Sequence, residues 1–255
     1  MKDKALPKDI NYYQQQIGSL IYLMVTTRPY IAYSLGECSR YMSNPGPEHF
    51  KYLDYIWKYL IGTKDYSLTY DDSTIPILIG YSDSHWGGDY PTRRSTTGYL
   101  FTFNNTAISW SSKLQKTVAL SSYEAEYMAL KETIKEYTWL KLLLNQLSSI
   151  TTTTTTKDIY TNSILYTDSQ SAIQLAKNLE YHARTKHINI QYHYVRSNIL
   201  SGSIYLKYIP TEQQLADGLS KSLDYTKYST YTKGIGLLSS SSLPSTALGG
   251  VLESI

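Results

Sequence analysis

The first 75 residues carry apolar positions at intervals of three and four, a spacing that predicts amphipathic helices. In the first segment these positions are Ile17, Leu20, Ile21 and Met24. Pro29 ends this helix, because proline disfavours helical backbone in the residue before it. Further helices are predicted over residues 31–42 and 48–61, separated by a turn sequence at 43–47 that contains two prolines. Residues 1–75 are therefore expected to form a small helical unit. A unit of this length buries only a small core. We therefore expect apolar surface to remain exposed on it, around residues 17–24 or Trp57.

After residue 75 the pattern changes to short apolar runs, which are typical of buried strands. The predicted strands cover residues 77–83, 98–103, 107–110, 164–168 and 203–209. A long helix is predicted to begin near residue 121. Further helices are predicted over residues 169–177, within 182–200, and over 211–221. This order mixes a hairpin meander with crossover connections, which predicts an α/β unit over residues 76–223 with a five-stranded mixed sheet flanked by helices. Residues 224–255 are expected to form a loosely packed tail, since the part after 234 is rich in glycine and serine.

Composition narrows the class of protein. Of the 255 residues, 42% are hydrophobic and 18% are charged, which favours a folded globular chain over a disordered one. The net charge of +3 permits a nucleic-acid partner without requiring one. The single cysteine, Cys38, excludes an intrachain disulfide and a cysteine-based zinc site. No apolar run is long enough to cross a membrane, and the charged first residues do not form a secretory signal.

Acidic residues follow two of the predicted strands. Asp83 and Asp168 stand at the carboxyl ends of their strands, where ligands gather in open α/β sheets. Glu124 opens the intervening helix near the same edge, and Asp217 in the last helix could complete the cluster. Gathered carboxylates raise one another's pKa values, and divalent cations relieve that conflict. Oxygen ligands favour Mg²⁺, with Mn²⁺ as a second candidate, and two such ions can drive phosphodiester hydrolysis.

Each carboxylate also has a purely structural interpretation. Asp83 could start a turn, Asp168 could cap the next helix, and Asp217 could be a surface charge. Ser121 and Glu124 match a capping box, in which the glutamate only satisfies backbone amides of its own helix. Glu126 lies two residues further along and is expected to face solvent or to lie outside the ligand set.

The carboxylates lie within ordered sequence blocks that resemble the ribonuclease H domain of copia-type (Pseudoviridae) LTR-retrotransposon Pol polyproteins. The blocks cover residues 81–89, 93–99, 108–115, 118–127, 168–173, 184–188 and 210–217. Upstream, residues 17–23, 27–29 and 42–45 resemble the thumb/connection segment that follows the reverse-transcriptase palm, and 234–254 resemble the polyprotein's C-terminal end. Polymerase activity is not expected, because the aspartate motif of the palm is absent from this sequence.

The resemblance implies a ribonuclease H-like fold and hydrolysis of the RNA strand of RNA–DNA hybrids with two Mg²⁺ ions. At the matching positions, Asp83, Glu124, Asp168 and Asp217 become catalytic metal ligands. The departures are Tyr123 where threonine is usual, Ser169 where asparagine is usual, and no histidine in residues 208–212, where Glu212 could substitute. The implied partners are the hybrid and the palm and fingers of the same polyprotein. The implied location is intracellular, in a cytoplasmic virus-like particle with a nuclear phase.

Basic side chains should line the approach of a substrate as rich in phosphate as a hybrid. The candidates are Arg93, Arg94, Lys113, Lys116, Arg184, Lys186 and Arg196. Any one of them could equally belong to a solvated face. Two other functions stay open besides the enzyme. One is a catalytically weak module that binds hybrids, and the other is a transposon relic without a cellular role.

Overall fold

A computed structural model describes residues 5–70, 77–151, 163–177, 186–202 and 204–239. Side chains are described over the same ranges except 148–151 and 186–192.

The N-terminal segment is helical, as its periodicity predicts. It contains α1 (Pro7–Thr26), α2 (Ala32–Ser39) and α3 (Pro47–Gly62), followed by a short strand, β1 (Tyr66–Leu68). Both α1 and α3 start with proline, whose fixed φ suits the first helical position. The buried face of α1 is formed by Tyr13, Ile17 and Leu20. Ile21, which was expected on the same face, is 38% exposed.

A five-stranded mixed sheet forms the centre of the molecule, and this confirms the predicted fold class. Its strands are β2 (Leu78–His85), β3 (Thr96–Phe103), β4 (Thr106–Leu114), β5 (Ile164–Thr167) and β6 (Tyr205–Tyr208), in the spatial order β4-β3-β2-β5-β6. The first three strands are antiparallel, while β5 is parallel to both β2 and β6. Asn104 and Asn105 turn between β3 and β4 with φ values of 51° and 60°. Two consecutive residues with positive φ match the right-handed twist of a tight hairpin.

Three helices cover one face of the sheet: α4 (Ser122–Thr151), α5 (Gln170–Lys177) and α6 (Lys186–Leu200). Leu130, Ile134 and Tyr137 of α4 share a buried cluster with Phe101 and Leu165 of the sheet. The basic helix expected within 182–200 is α6, and residues 178–185 lie outside the described part of the chain. No helix in the described ranges combines the length and apolarity needed to cross a bilayer.

The opposite face is covered by the N-terminal helices and by the C-terminal segment. This segment contains α7 (Asp217–Ser220), α8 (Tyr225–Gly234) and β7 (Leu237–Ser239). The predicted helix over 211–221 is wrong in extent, because a 3₁₀ turn (Thr211–Gln213) and α7 are separated there by three residues. A single buried cluster joins Leu20 of α1, Leu100 of β3, Leu219 of α7 and Tyr231 of α8.

The hydrophobic core therefore crosses both predicted domain boundaries, at 75/76 and at 223/224. Strand β7 pairs with β1 in a two-stranded antiparallel sheet, which ties the C-terminal segment to the N-terminal one. The expectation of loose packing after residue 234 is wrong for the residues described there, since Ile235 and Leu237 are buried. The division into three units stays a prediction.

Candidate active site

Two aspartates lie side by side because their strands are parallel neighbours. Tyr81 of β2 is in register with Tyr166 of β5, so Asp83 and Asp168, two residues further on, reach the same edge of the sheet. The side chain of Asp83 is buried, and that of Asp168 is half-buried. Thr211 Oγ1 donates a hydrogen bond of 2.7 Å to Asp168 Oδ2, which fixes that carboxylate.

Asp217 reaches the same edge from the short helix α7. Gln214 ties the preceding turn to β2, since its Nε2 donates to Ser82 O at 3.1 Å and its Oε1 accepts from Ala216 N at 3.2 Å. Gly98 lets this segment approach the sheet, because a Cβ atom there would lie 2.7 Å from Ala216 O. Carboxylate oxygens of Asp83, Asp168 and Asp217 all lie within 4.8 Å of one another.

The structure does not bring Glu124 into this cluster. Glu124 Oε2 accepts a hydrogen bond from Leu120 N at 2.7 Å, and its own amide contacts Ser121 Oγ at 3.4 Å. The contact with Ser121 is one half of a capping box, and the carboxylate binds the amide of the residue before the cap. Glu124 thus caps the start of its own helix, as in the structural alternative that the sequence left open.

Glu126 approaches the cluster instead, and the expectation that it faces solvent is wrong. It is 9% exposed, and its Oε1 accepts from Ser84 N, the residue after Asp83, at 3.2 Å. Its Oε2 is buried and has no hydrogen-bond partner among the described residues.

Basic and hydroxyl groups complete the surroundings of the cluster. Lys221 Nζ lies 2.9 Å from Asp217 Oδ1 and 3.9 Å from Asp83 Oδ2. Ser220, which is fully buried, donates a short hydrogen bond from its Oγ to the carboxylate of Asp83. Asp83 and Asp217 are therefore oriented by their neighbours on α7 and directly after it.

Burial and mutual repulsion disfavour negative charge at this edge. Burial, together with the charges of Asp83 and Asp168, raises the pKa of Glu126 well above its ordinary value. Burial and then Asp83 raise the pKa of Asp217 to about 7 despite Lys221. Burial and Asp83 also raise the pKa of Asp168, against the lowering effect of Thr211. Burial by itself would lower the pKa of Lys221, but Asp83 and Asp217 raise it.

These residues fit a divalent cation site. They offer hard oxygen ligands, a buried carboxylate oxygen without a partner at Glu126, and repulsion that a cation would relieve. Carboxylate oxygens suit hard divalent cations, a class that includes magnesium, calcium and manganese.

The candidate nucleic-acid-binding residues are spread over several elements. Arg93 is exposed, has a φ of 56°, and stacks its guanidinium 5.6 Å from the ring centre of Tyr90. Arg94 is half-buried in the same loop and donates from Nε to Thr92 Oγ1 at 3.0 Å. Arg196 is half-buried on α6. Arg184 lies outside the described residues, and Lys186 begins α6 with its side chain outside them.

Lys113 and Lys116 are exposed and line a groove of about 520 Å³ between β4 and α4. Lys131 and Lys135 of α4 line the same groove, and both form ion pairs with Glu132. Lys113 is in register with Thr97 of β3, which in turn pairs with Ser84 next to Asp83. Two inter-strand spacings, about 10 Å, therefore separate the backbone of Lys113 from the strand that carries Asp83.

Three residues at this site, Glu126, Ser220 and Lys221, were not predicted from the sequence as part of it. A signal for Glu126 exists, because it stands four residues before Leu130 and thus on the buried ridge of α4. For Lys221 a local signal also exists, because it stands four residues after Asp217, a spacing that pairs opposite charges on a helix. For Ser220 no local signal exists, since its hydrogen bond to Asp83 spans 137 residues.

Comparison with known proteins identifies relatives across most of the chain. The Retrovirus-related Pol polyprotein from transposon TNT 1-94 of Nicotiana tabacum is 45% identical over 225 residues, which are 88% of this chain and 16% of that protein. The corresponding polyprotein from transposon RE1 of Arabidopsis thaliana is 36% identical over 90% of this chain and 15% of its own length. Secreted RxLR effector protein 161 of Plasmopara viticola is 47% identical over half of this chain and 90% of its own length. The chain thus spans about one sixth of the polyproteins it matches, and no family model matches it.

Solved structures with a related fold are more distant. The foamy viral protease-reverse transcriptase in complex with RNA/DNA hybrid has a TM-score of 0.46 at 12% identity, over 85% of this chain and 27% of that one. LC11-RNase H1 in complex with RNA/DNA hybrid has a TM-score of 0.39 at 15% identity, over 56% of this chain and 93% of that one. Identities this low add nothing about the chemistry of the site in this chain.

Proposed function

Because the chain belongs to the family of copia-type retrotransposon Pol polyproteins, we propose that it is a ribonuclease H that hydrolyses the RNA strand of RNA–DNA hybrids during reverse transcription. The observation that carries this proposal is the buried group of Asp83, Asp168 and Asp217, whose carboxylate oxygens lie within 4.8 Å of one another. Buried carboxylates in folded proteins are paired with a cation or coordinate a metal, and the single charge of Lys221 cannot offset all three aspartates. The products are expected to be a 3′-hydroxyl and a 5′-phosphate.

The proposed metal ligands are Asp83, Asp168, Asp217 and Glu126, and the last takes the place expected for Glu124. Two bound Mg²⁺ ions, or Mn²⁺ in their place, would supply an activated water and stabilise the leaving oxygen of the phosphodiester.

The hydroxyl groups of Ser220 and Thr211 hold Asp83 and Asp168 in fixed orientations, so little reorganisation is needed when the site is used. Glu126 keeps its Oε1 on the backbone of β2, while its buried Oε2 has no hydrogen-bond partner among the described residues and is free to bind a cation.

The basic groove beside α4 is the proposed contact for the hybrid backbone. Lys113 and Lys116 are both exposed there, and the backbone of Lys113 lies about two strand spacings from the strand that carries Asp83. Contacts of this kind bind phosphate without reading sequence, so affinity should fall with rising salt.

A matched pair of variants tests the proposal. Purified protein is given a hybrid with labelled RNA and Mg²⁺, and cleavage is compared for Glu126→Gln and Glu124→Gln. Glu126→Gln should lower the cleavage rate by at least about 10–100-fold. Losses of this size are typical when a residue that holds or orients a bound metal is replaced. Glu124→Gln should leave the rate nearly unchanged, because the glutamine side-chain oxygen can still accept the hydrogen bond from Leu120 N at the start of α4.

The outcomes separate the open functions. A hybrid that stays intact with the unaltered protein and Mg²⁺ would contradict the enzyme. Salt-sensitive hybrid binding without cleavage would instead support the binding module. Loss of cleavage in Glu124→Gln but not in Glu126→Gln would return Glu124 to the ligand set. Labelled single-stranded RNA and duplex DNA serve as controls for the choice of substrate.

The proposed protein partner is the reverse-transcriptase palm and fingers of the same polyprotein. The N-terminal helices carry large apolar side chains with high exposure: Tyr22 is 70%, Val25 61% and Ile61 68% exposed. Serine at Tyr22 and Val25 should weaken binding of a separately expressed palm while the melting temperature of this chain stays unchanged. We also propose an intracellular location, in a cytoplasmic virus-like particle with a nuclear phase.

A further inference from the structure

Lys221 brings a permanent positive charge into the carboxylate cluster. Its ammonium forms an ion pair of 2.9 Å with Asp217 Oδ1 and lies 3.9 Å from Asp83 Oδ2. The lysine side chain is 29% exposed, whereas those of Asp83 and Asp217 are only 3% and 6% exposed. The lysine side chain is therefore more accessible to solvent than the two aspartates with which it pairs.

The fold fixes the start of this side chain. Lys221 N donates to Asp217 O at 3.1 Å, which closes the last turn of α7. The preceding residue, Ser220, is fully buried and bonded to Asp83. The backbone of Lys221 is thus held against the cluster, while its four-carbon stem can turn about several bonds and move the ammonium.

An ammonium and a divalent cation cannot both occupy the same side of Asp217 Oδ1. Magnesium binds carboxylate oxygen at about 2.0–2.1 Å and demands near-ideal octahedral geometry. A second positive charge 2.9 Å from that oxygen would be repelled by the ion and would fill a ligand position.

We propose that Lys221 is the internal counter-ion of this metal centre, which neutralises Asp217 and Asp83 before a cation binds and must leave Asp217 Oδ1 when one does. The inference rests on the proposed function, because it takes this cluster to be a metal site. Lys221 is then a positioning residue that keeps the cluster assembled without metal and weakens cation binding by competing for its ligand. The effect is reciprocal: if Lys221 weakens cation binding, a bound cation must weaken the ion pairs of Lys221 with the aspartates to the same extent.

The experiment measures cation binding and needs no substrate. Mn²⁺ is titrated calorimetrically into metal-free protein for Lys221→Gln and for Lys227→Gln. Lys227 is exposed on α8, so its variant makes the same change of charge nearby without touching the cluster. Lys221→Gln should bind Mn²⁺ about tenfold more tightly, within the range usual for coupled sites. It should also melt at a lower temperature than Lys227→Gln in EDTA, since the repulsion is no longer offset.

A second variant keeps the proposal testable if Lys221→Gln does not fold. Lys221→Arg keeps the charge and can grip a carboxylate with two parallel hydrogen bonds, so it should bind Mn²⁺ more weakly than the unaltered protein. Mn²⁺ binding that is unchanged or weaker in folded Lys221→Gln, or tighter in Lys221→Arg, would overturn the proposal.

The same data distinguish this inference from the proposed function. If the predicted changes in Mn²⁺ binding occur but hybrids stay uncut, the ribonuclease proposal fails and Lys221 keeps its role. If hybrids are cut and Lys221→Gln binds Mn²⁺ like the unaltered protein, only the counter-ion role fails.

Discussion

Replacing Asp217 by asparagine should stabilise the protein when no metal is present. The pKa of Asp217 rises from its ordinary value of 3.8 to about 7, mainly through burial and then through the charge of Asp83. The folded state therefore binds a proton more tightly than the unfolded chain does. Stability from this group is present below pH 4 and is lost as pH rises to about 7, because ionisation then costs more in the folded state.

The magnitude follows from the same pKa. At 1.36 kcal/mol per pKa unit, the difference between 3.8 and about 7 corresponds to about 4 kcal/mol at pH 8. Asparagine gives up the ion pair to Lys221 and is itself buried, so a net gain of about 1–3 kcal/mol is expected. For a chain of this size such a gain raises the melting temperature by about 2–10 °C.

The assay is thermal unfolding of Asp217→Asn and of the unaltered protein in EDTA, at several pH values from 4 to 8. The gain should be largest at pH 8 and should shrink toward pH 4, where Asp217 is protonated in the folded state. Added Mg²⁺ should raise the melting temperature of the unaltered protein by binding only the folded state, and should do so less in the variant. A variant that melts lower than the unaltered protein at pH 8 in EDTA would refute the reasoning.

Other predictions concern the packing that holds the site. Gly98→Ala should lower stability by about 1–3 kcal/mol and reduce cleavage, because its Cβ would press on Ala216 O and displace the turn before Asp217; chemical denaturation and the hybrid assay measure both effects. Tyr231→Phe should be neutral or slightly stabilising in the same denaturation experiment, since the buried hydroxyl has no hydrogen-bond partner in the described structure. Asp89→Asn should destabilise by about 1–2 kcal/mol at neutral pH, because it removes the carboxylate 2.6 Å from Arg40, the residue after α2, while Glu37 stays paired with the same guanidinium; unchanged unfolding would show that this link between the N-terminal helices and the loop after β2 contributes nothing.

The sequence by itself determined the sheet and the meeting of two aspartates. Short apolar runs, turn residues such as Asn104 and Asn105, and the alternation of strands and helices along the chain can all be identified in the sequence without knowledge of the fold. Once β2 and β5 are parallel neighbours, Asp83 and Asp168 must reach the same edge. The ordered blocks of residues carried the family assignment in the same way.

Tertiary structure decided which glutamate lies beside the three aspartates. Residues two apart on a helix point about 200° away from each other, so Glu124 and Glu126 cannot both face the sheet. The family resemblance implied Glu124 as a ligand, whereas the packing of α4 on β2 brings Glu126 against Ser84, which is 42 residues away and next to Asp83. The rotation of a helix about its axis depends on what its buried ridge packs against, which a capping motif does not reveal.

Tertiary structure also decided that the N-terminal helices, the sheet and the C-terminal segment share one core, and that Lys221 reaches Asp83. Composition marked 75/76 and 223/224 as boundaries, because the hydrophobic pattern and the glycine and serine content change there. Burial of Leu219 and Tyr231 depends on side chains contributed by α1 and β3. Contacts between residues so far apart in sequence form only when the whole chain folds, so a local sequence pattern cannot predict them.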